Sequence, residues 1–364
     1  MKKRLYHIES LRIVSMLMII TLHLLVFSGL LDTYKNFSLT SLFIWGLESL
    51  CFIAVNCYVL ISGYFLVDSS FKFKKLFKIW IEVFFYSLIL YCFLLLTKNI
   101  TFGYTSLFKS FFPILFGKYW FVSVYVILYI LSPFINKFIN TLDKSQYTYL
   151  LILIFLFFSI WPTFIPSENT INYGGSYSIS WFICLYIIAG YLKRFPCKKN
   201  LKNWVYLLLY FLCSFANVVA YFLVKKLNIT FVYCNFLYNY YSITVLLAAI
   251  NLFLFFVGLK EISNPIAQKL INFFATSTFG VYLIHENPSI RPILWNYFSF
   301  LTTQSHVFTI LLVLIIPIIL FIIFTLLDKF RIFVFNIIIN IFSRKEKMLH
   351  FENLKKLEEK ICQK

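Results

Sequence analysis

A chain of 364 residues that is 61% hydrophobic and 21% aromatic, with only 13% charged residues, has more apolar surface than a water-soluble fold can hide. The formal net charge of +19 would suggest nucleic acid in a soluble protein. Here the basic residues sit in short segments between apolar runs, and no basic, aromatic-interleaved soluble domain exists to carry a nucleic acid. The composition predicts an all-α, polytopic integral membrane bundle.

Hydropathy predicts about ten spans, each near the ~20 residues a bilayer requires. They cover 10–30, 42–66, 77–97, 119–139, 148–165, 178–194, 202–224, 237–258, 269–287 and 306–328. The first run has no small-residue cleavage site and reads as an uncleaved signal anchor. With a cytoplasmic amino terminus, 25 of the 33 Lys and Arg residues fall inside, 7 fall outside and Arg12 remains at a span end. That split predicts both termini in the cytoplasm. Residues 1–330 form the transmembrane domain in this reading, and 331–364 an interfacial and cytoplasmic helical tail. Arg331 to Phe342 is apolar with a basic start and suits the inner interface. From Ser343 the chain alternates Lys and Glu, as a solvated helix would. The segment 104–118, with Pro113 and Gly117, reads as re-entrant or interfacial. The eight cysteines show no CxxC pair and no histidine at ligand spacing, so no metal site is expected.

The first span carries the unusual pattern. Arg12 lies near its start and His23 deep inside. Eleven residues at 100° each return almost to the same helix face, ~16 Å further along the axis. Ionisable groups inside a span mark function by default, although a cation at a span end also snorkels to headgroups. Depth arithmetic then places three groups at one level. His23 lies ~20 Å from the inner face, Glu48 ~22 Å and His285 ~24 Å, by the rise per residue and a ~30 Å core. A carboxylate beside an imidazole fixes its tautomer and stabilises the imidazolium, which makes Glu48 the candidate partner of His23. An interfacial carboxylate with water access is the alternative for Glu48, and simple helix–helix hydrogen bonding the alternative for His285. Arg291, a few residues on, faces a sugar, an anionic polymer or a headgroup. At the inner face, Ser62-Gly63 ends the second span at the level of Arg12, and Lys75-x-x-Lys78 follows. Asn56, Asn217 and Asn251 are mid-span amides suited to bonds between helices.

The Arg12-x10-His23 spacing, Asn56-Cys-Tyr-Val-Leu-Ile-Ser-Gly-Tyr-Phe65, Tyr119-Trp-Phe-Val and Phe279-Gly-Val-Tyr-Leu-Ile-His285 together resemble the acyltransferase family 3 membrane proteins, in that family's order. The resemblance implies transfer of an acyl group, usually acetyl from acetyl-CoA, to hydroxyls of sugars and cell-surface polymers. It implies His23 as the catalytic residue, and acetyl-CoA as co-substrate with no permanently bound cofactor. Donor contacts fall to Arg12, Ser62, Lys75 and Lys78, and acceptor contacts or orientation to Trp120, His285 and Arg291. Two departures stand out. Lysines replace the usual Arg-x-x-Arg, and Lys118-Tyr119 replaces the usual His before Trp-Phe. The Lys, Asn, Ile and Phe bias points to a bacterium, and so to a multi-pass protein of the plasma membrane. With little chain after the last span, the expectation is that it acts alone or passes acetyl to a separate extracytoplasmic transferase partner. Direct transfer and an acyl-histidine intermediate both suit the residues. The main competing reading is a secondary transporter or flippase of lipid-linked sugars, against which stands the absence of an internal repeat.

Overall fold

The computed structural model describes residues 4–165, 175–196, 201–227 and 238–343. Those residues are helical throughout, joined by turns and short loops. The helices are α1 (Tyr6–Phe27), α2 (Leu39–Cys51), α3 (Ala54–Leu66), α4 (Phe73–Leu96), α5 (Tyr104–Phe111), α6 (Trp120–Thr141) and α7 (Lys144–Ile154). They continue as α8 (Ile179–Arg194), α9 (Asn203–Lys226), α10 (Ile243–Val257), α11 (Pro265–Ala275), α12 (Thr278–His285), α13 (Arg291–Asn296) and α14 (His306–Ser343).

Among the described residues, seven helical stretches are long and apolar enough to cross a membrane: 6–27, 39–66, 73–96, 120–141, 144–164, 203–226 and 306–337. Each matches an expected span. The other three expected spans are present as shorter pieces. α8 has 16 residues, α10 has 15, and the expected span at 269–287 is broken between α11 and α12. Parts of the charge argument (Lys2, Lys3, Lys198, Lys199), the outer loop at 166–174 and the tail from 344 lie outside the described residues.

Local chemistry accounts for the ends and breaks. Ser38 and Ser41 form a reciprocal capping box at the start of α2, and Asp143 and Gln146 do the same for α7. Asn264 accepts from the backbone N–H groups of Ile266 and Ala267, with Pro265 opening α11. The second span bends at Phe52–Ile53, between α2 and α3. A backbone carbonyl exposed by such a bend needs a donor in a lipid environment, and the Tyr210 hydroxyl supplies one to Leu50 O at 2.9 Å. The continuation of α7 runs through a π-helical stretch, Phe155–Ile160, whose Ser159 donates to Tyr241 O at 2.7 Å.

α1 is the central helix, flanked by α2, α3, α11, α12 and α14. Its first half feeds Ile8 and Leu11 into a core shared with α3, α6, α8 and α10. Its second half feeds Met16, Ile20 and Leu24 into a separate core with α12, α13 and α14. The Arg12–His23 face therefore runs along a seam between two packed bodies. Gly63 is one place where that packing is tightest. A Cβ there would meet Ala189 Cβ at 2.9 Å and the Tyr186 backbone at 3.1 Å, so α3 and α8 approach only because residue 63 lacks one. Residues 331–337 do not form a separate interfacial helix but continue α14. Arg331 is largely buried and pairs with Glu82 and Asp328, each at 2.8 Å.

Candidate active site

One elongated cavity of about 590 Å³ runs along the seam beside α1. Both Arg12 and His23 line it, as the shared face requires. At the Arg12 end the lining is cationic: Arg4, Lys75 and Lys78 join Arg12, with Ser62 of α3 beside them. Arg12 does not simply reach for headgroups. Its Nη1 donates to Glu9 Oε2 at 2.9 Å, one turn earlier on α1, and Arg4 Nε stands 3.7 Å from the other oxygen of Glu9. Tyr58 donates to the Arg12 carbonyl at 2.9 Å, which ties α3 to this turn. Lys75 Nζ sits 4.8 Å from the Tyr129 ring centroid, a cation–π contact that orients the ammonium. Donor-site expectations for Arg12, Ser62, Lys75 and Lys78 therefore fall on one surface. Arg4, just before α1, is an addition to that surface, and Glu9 of α1 pairs with both arginines.

At the other end the imidazole of His23 is 20% exposed in its side chain, and its Nδ1 is the buried nitrogen. Glu286 Oε1 stands 3.4 Å from that Nδ1 without hydrogen-bond alignment. Glu286 Oε2 in turn lies 3.6 Å from Arg291 Nη1, and the Arg291 guanidinium packs 4.9 Å from the Phe27 ring. The expected partnership of Glu48 with His23 is thus replaced: the carboxylate that reaches the imidazole is Glu286. The physical reason is that α12 ends at His285. The chain turns there, and Asn287 donates to the Tyr119 hydroxyl at 2.8 Å while Tyr119 donates to Leu283 O at 3.0 Å. That clamp lays Glu286 against α1. Glu286 directly follows His285, so its depth was readable; the turn that aims it was not.

His285 is fully buried and does not line the cavity. Its Nδ1 lies 2.6 Å from Val281 O, a contact that needs the proton on Nδ1, and its ring centroid is 5.2 Å from that of His23. It backs the His23 ring together with Trp295, 6.2 Å away. Glu48 does line the cavity, from α2, and Trp120 and Arg291 line it as well. Tyr177 and Tyr240 also face the cavity; no spacing pattern marked them beforehand. Lys118, of the Lys118-Tyr119 pair before Trp120, is not among the residues that line the cavity. Its Nζ donates to Ser87 at 3.0 Å and Ser110 at 3.1 Å, pinning α5 to α4, and burial pulls its pKa down to about 8. The mid-span amides divide. Asn56 donates to Tyr240 O at 2.7 Å and accepts from Trp181 at 3.1 Å, and Asn217 accepts from Thr244, whereas Asn251 bonds within its own helix.

A helical membrane protein with an imidazole, a carboxylate and a cationic cluster on one continuous cavity has the parts of a group-transfer enzyme. A family model described as an acyltransferase domain matches residues 5–327, and the chain belongs to acyltransferase family 3. No curated protein and no solved structure matches the chain.

Proposed function

We propose that the protein is an O-acyltransferase that moves acetyl from cytoplasmic acetyl-CoA to a hydroxyl of an extracytoplasmic or lipid-linked glycan, in the plasma membrane of a bacterium. The observation that carries this reading is the single cavity joining the Arg4, Arg12, Lys75 and Lys78 cluster to the His23–Glu286 pair. Four cations at one mouth suit the phosphates of the donor, held by charge more than by bidentate geometry at the lysines. The ~16 Å between Arg12 and His23 along α1 gives the pantetheine arm a path to the imidazole. In this reading the chain crosses the membrane ten times, the short helices α8, α10 and α11–α12 completing the passages, and the cationic mouth faces the cytoplasm.

The chemistry follows from which nitrogen is free. With Nδ1 turned to Glu286, Nε2 takes the proton of the acceptor hydroxyl as its oxygen attacks the thioester carbonyl. The C–S bond then breaks, and the coenzyme A thiolate leaves and regains a proton from the imidazolium. Glu286 holds the ring and offsets its charge while it is protonated. The 3.4 Å apart pair tightens when the ring becomes charged, as catalytic contacts often do on substrate binding.

The test is acetyl transfer by the full chain reconstituted in vesicles with labelled acetyl-CoA and surface glycan from the bacterium. His23→Ala abolishes transfer while acetyl-CoA still raises the thermal midpoint, and Glu286→Gln lowers kcat by roughly 10²–10⁴-fold with the donor KM little changed. Retained transfer in folded His23→Ala protein would falsify the assignment.

A further inference from the structure

The catalytic reading leaves one cavity carboxylate without a task. Glu48 is only 3% exposed, lines the cavity, and its Oε2 has no hydrogen-bond partner. The other carboxylate in the lining, Glu286, has Arg291 at 3.6 Å. Among the described residues no cation lies within ion-pair distance of Glu48. Burying an unpaired carboxylate is costly, so a wall that keeps one is built for something that enters.

Beside Glu48 the wall is aromatic. Phe52 follows one turn later, and its ring lies 5.1 Å from that of Tyr240. Tyr240 is 5.7 Å from Tyr177, and Tyr177 is 4.5 Å from Trp120, edge to face. All four rings line the cavity. His23 and Glu286 line the same cavity as these rings, so this wall adjoins the reacting centre. Asn56 holds the Tyr240 backbone from α3 at 2.7 Å, which fixes the wall. Aromatic faces carry negative potential, and a carboxylate among them makes a site for an ammonium group.

We propose that Glu48, with Phe52, Trp120, Tyr177 and Tyr240, forms a subsite for an ammonium-bearing sugar unit of the acceptor. The sugar ring packs on the aromatic wall, its nitrogen pairs with Glu48, and a neighbouring hydroxyl faces His23. This rests on the acyltransferase reading for its biology, but the subsite itself is a binding property and is tested as one.

Binding of three glycosides to the reconstituted full chain decides it: methyl 2-amino-2-deoxyglucoside, its neutral N-acetyl form, and methyl glucoside, each followed by isothermal titration in phosphatidylglycerol vesicles. The amino glycoside binds the wild type roughly tenfold or more tightly than either neutral one. Glu48→Gln brings the three affinities together, and using the same vesicles for both proteins cancels enrichment of cations at the anionic surface. Trp120→Leu weakens all three. Equal affinities in the wild type overturn the proposal, as does a preference that survives Glu48→Gln. If Glu48→Gln fails to fold, the amino against N-acetyl comparison in the wild type, repeated in zwitterionic phosphatidylcholine vesicles that do not enrich cations, decides alone. Loss of acetyl transfer in the enzyme assay with the ammonium preference intact sinks the acyltransferase reading and leaves the subsite standing.

Discussion

His23 is useful because its two nitrogens face different surroundings. One is buried toward a carboxylate that is itself held by Arg291, and the other is left to the cavity. The Arg12-x10-His23 spacing made both residues legible from the sequence, since a single helix carries them and its geometry is known in advance. Glu286 was less legible, because its role depends on a turn clamped by Tyr119 and Asn287, 168 residues apart in the chain. Lys118 shows a different residue-scale effect. Its folded pKa of about 8 lies below the ordinary lysine value of 10.5, because burial disfavours the ammonium. The unfolded chain therefore binds more protons between those two values, and stability rises with pH across that window. The thermal midpoint of the wild type minus that of Lys118→Met should increase between pH 7.5 and 9.5. A difference that stays flat shows that Lys118 titrates like a solvated lysine.

The long helix α14 is anchored to α4 by a polar cluster that also packs against α12. Asp328 accepts from the Tyr86 hydroxyl at 2.7 Å and from Arg331 Nε at 2.8 Å, while Arg331 also reaches Glu82. Gly280 of α12 makes room for this: a Cβ there would overlap the Asp328 carboxylate. The aspartate has nowhere to go, since moving it breaks a buried, charge-assisted network. Gly280→Ala should therefore destabilise by about 1–3 kcal/mol, the usual cost of overpacking, visible as a lower thermal midpoint. It should also lower transfer, because α12 carries the turn that aims Glu286. An unchanged midpoint would show that α12 and α14 have slack at this crossing. Hydropathy located α14 and the second span well. It missed the division between α11 and α12, whose combined length passes for one span, and the bend at Phe52–Ile53, which Tyr210 of a distant helix makes tolerable.

For the molecule as a whole, two packed cores meet along α1, and the cavity occupies their seam. Orientation decides which mouth meets acetyl-CoA. The 25-to-7 distribution of basic residues predicts that the Arg12 end is cytoplasmic, and so are both termini. Accessibility reporters fused at residue 1 and residue 364 should both register the cytoplasm in spheroplasts. A periplasmic or external signal from either would place the cationic mouth on the wrong side for the donor, and the proposed chemistry would lose its substrate.

What the sequence determined by itself was whatever depends on one helix at a time. The membrane class, seven of the ten expected spans, the Arg12–His23 face and the family follow from composition, local periodicity and short motifs, each of which acts within a few turns. Tertiary structure decided the pairings. Whether Glu48 or Glu286 meets His23 depends on rotation about helix axes and on a turn at Glu286, neither of which depth along the membrane normal can specify. The same holds for His285, which is level with His23 yet packs behind it, outside the cavity. Two groups at one depth share a layer, and only the packing of the helices around α1 determines whether they share a surface.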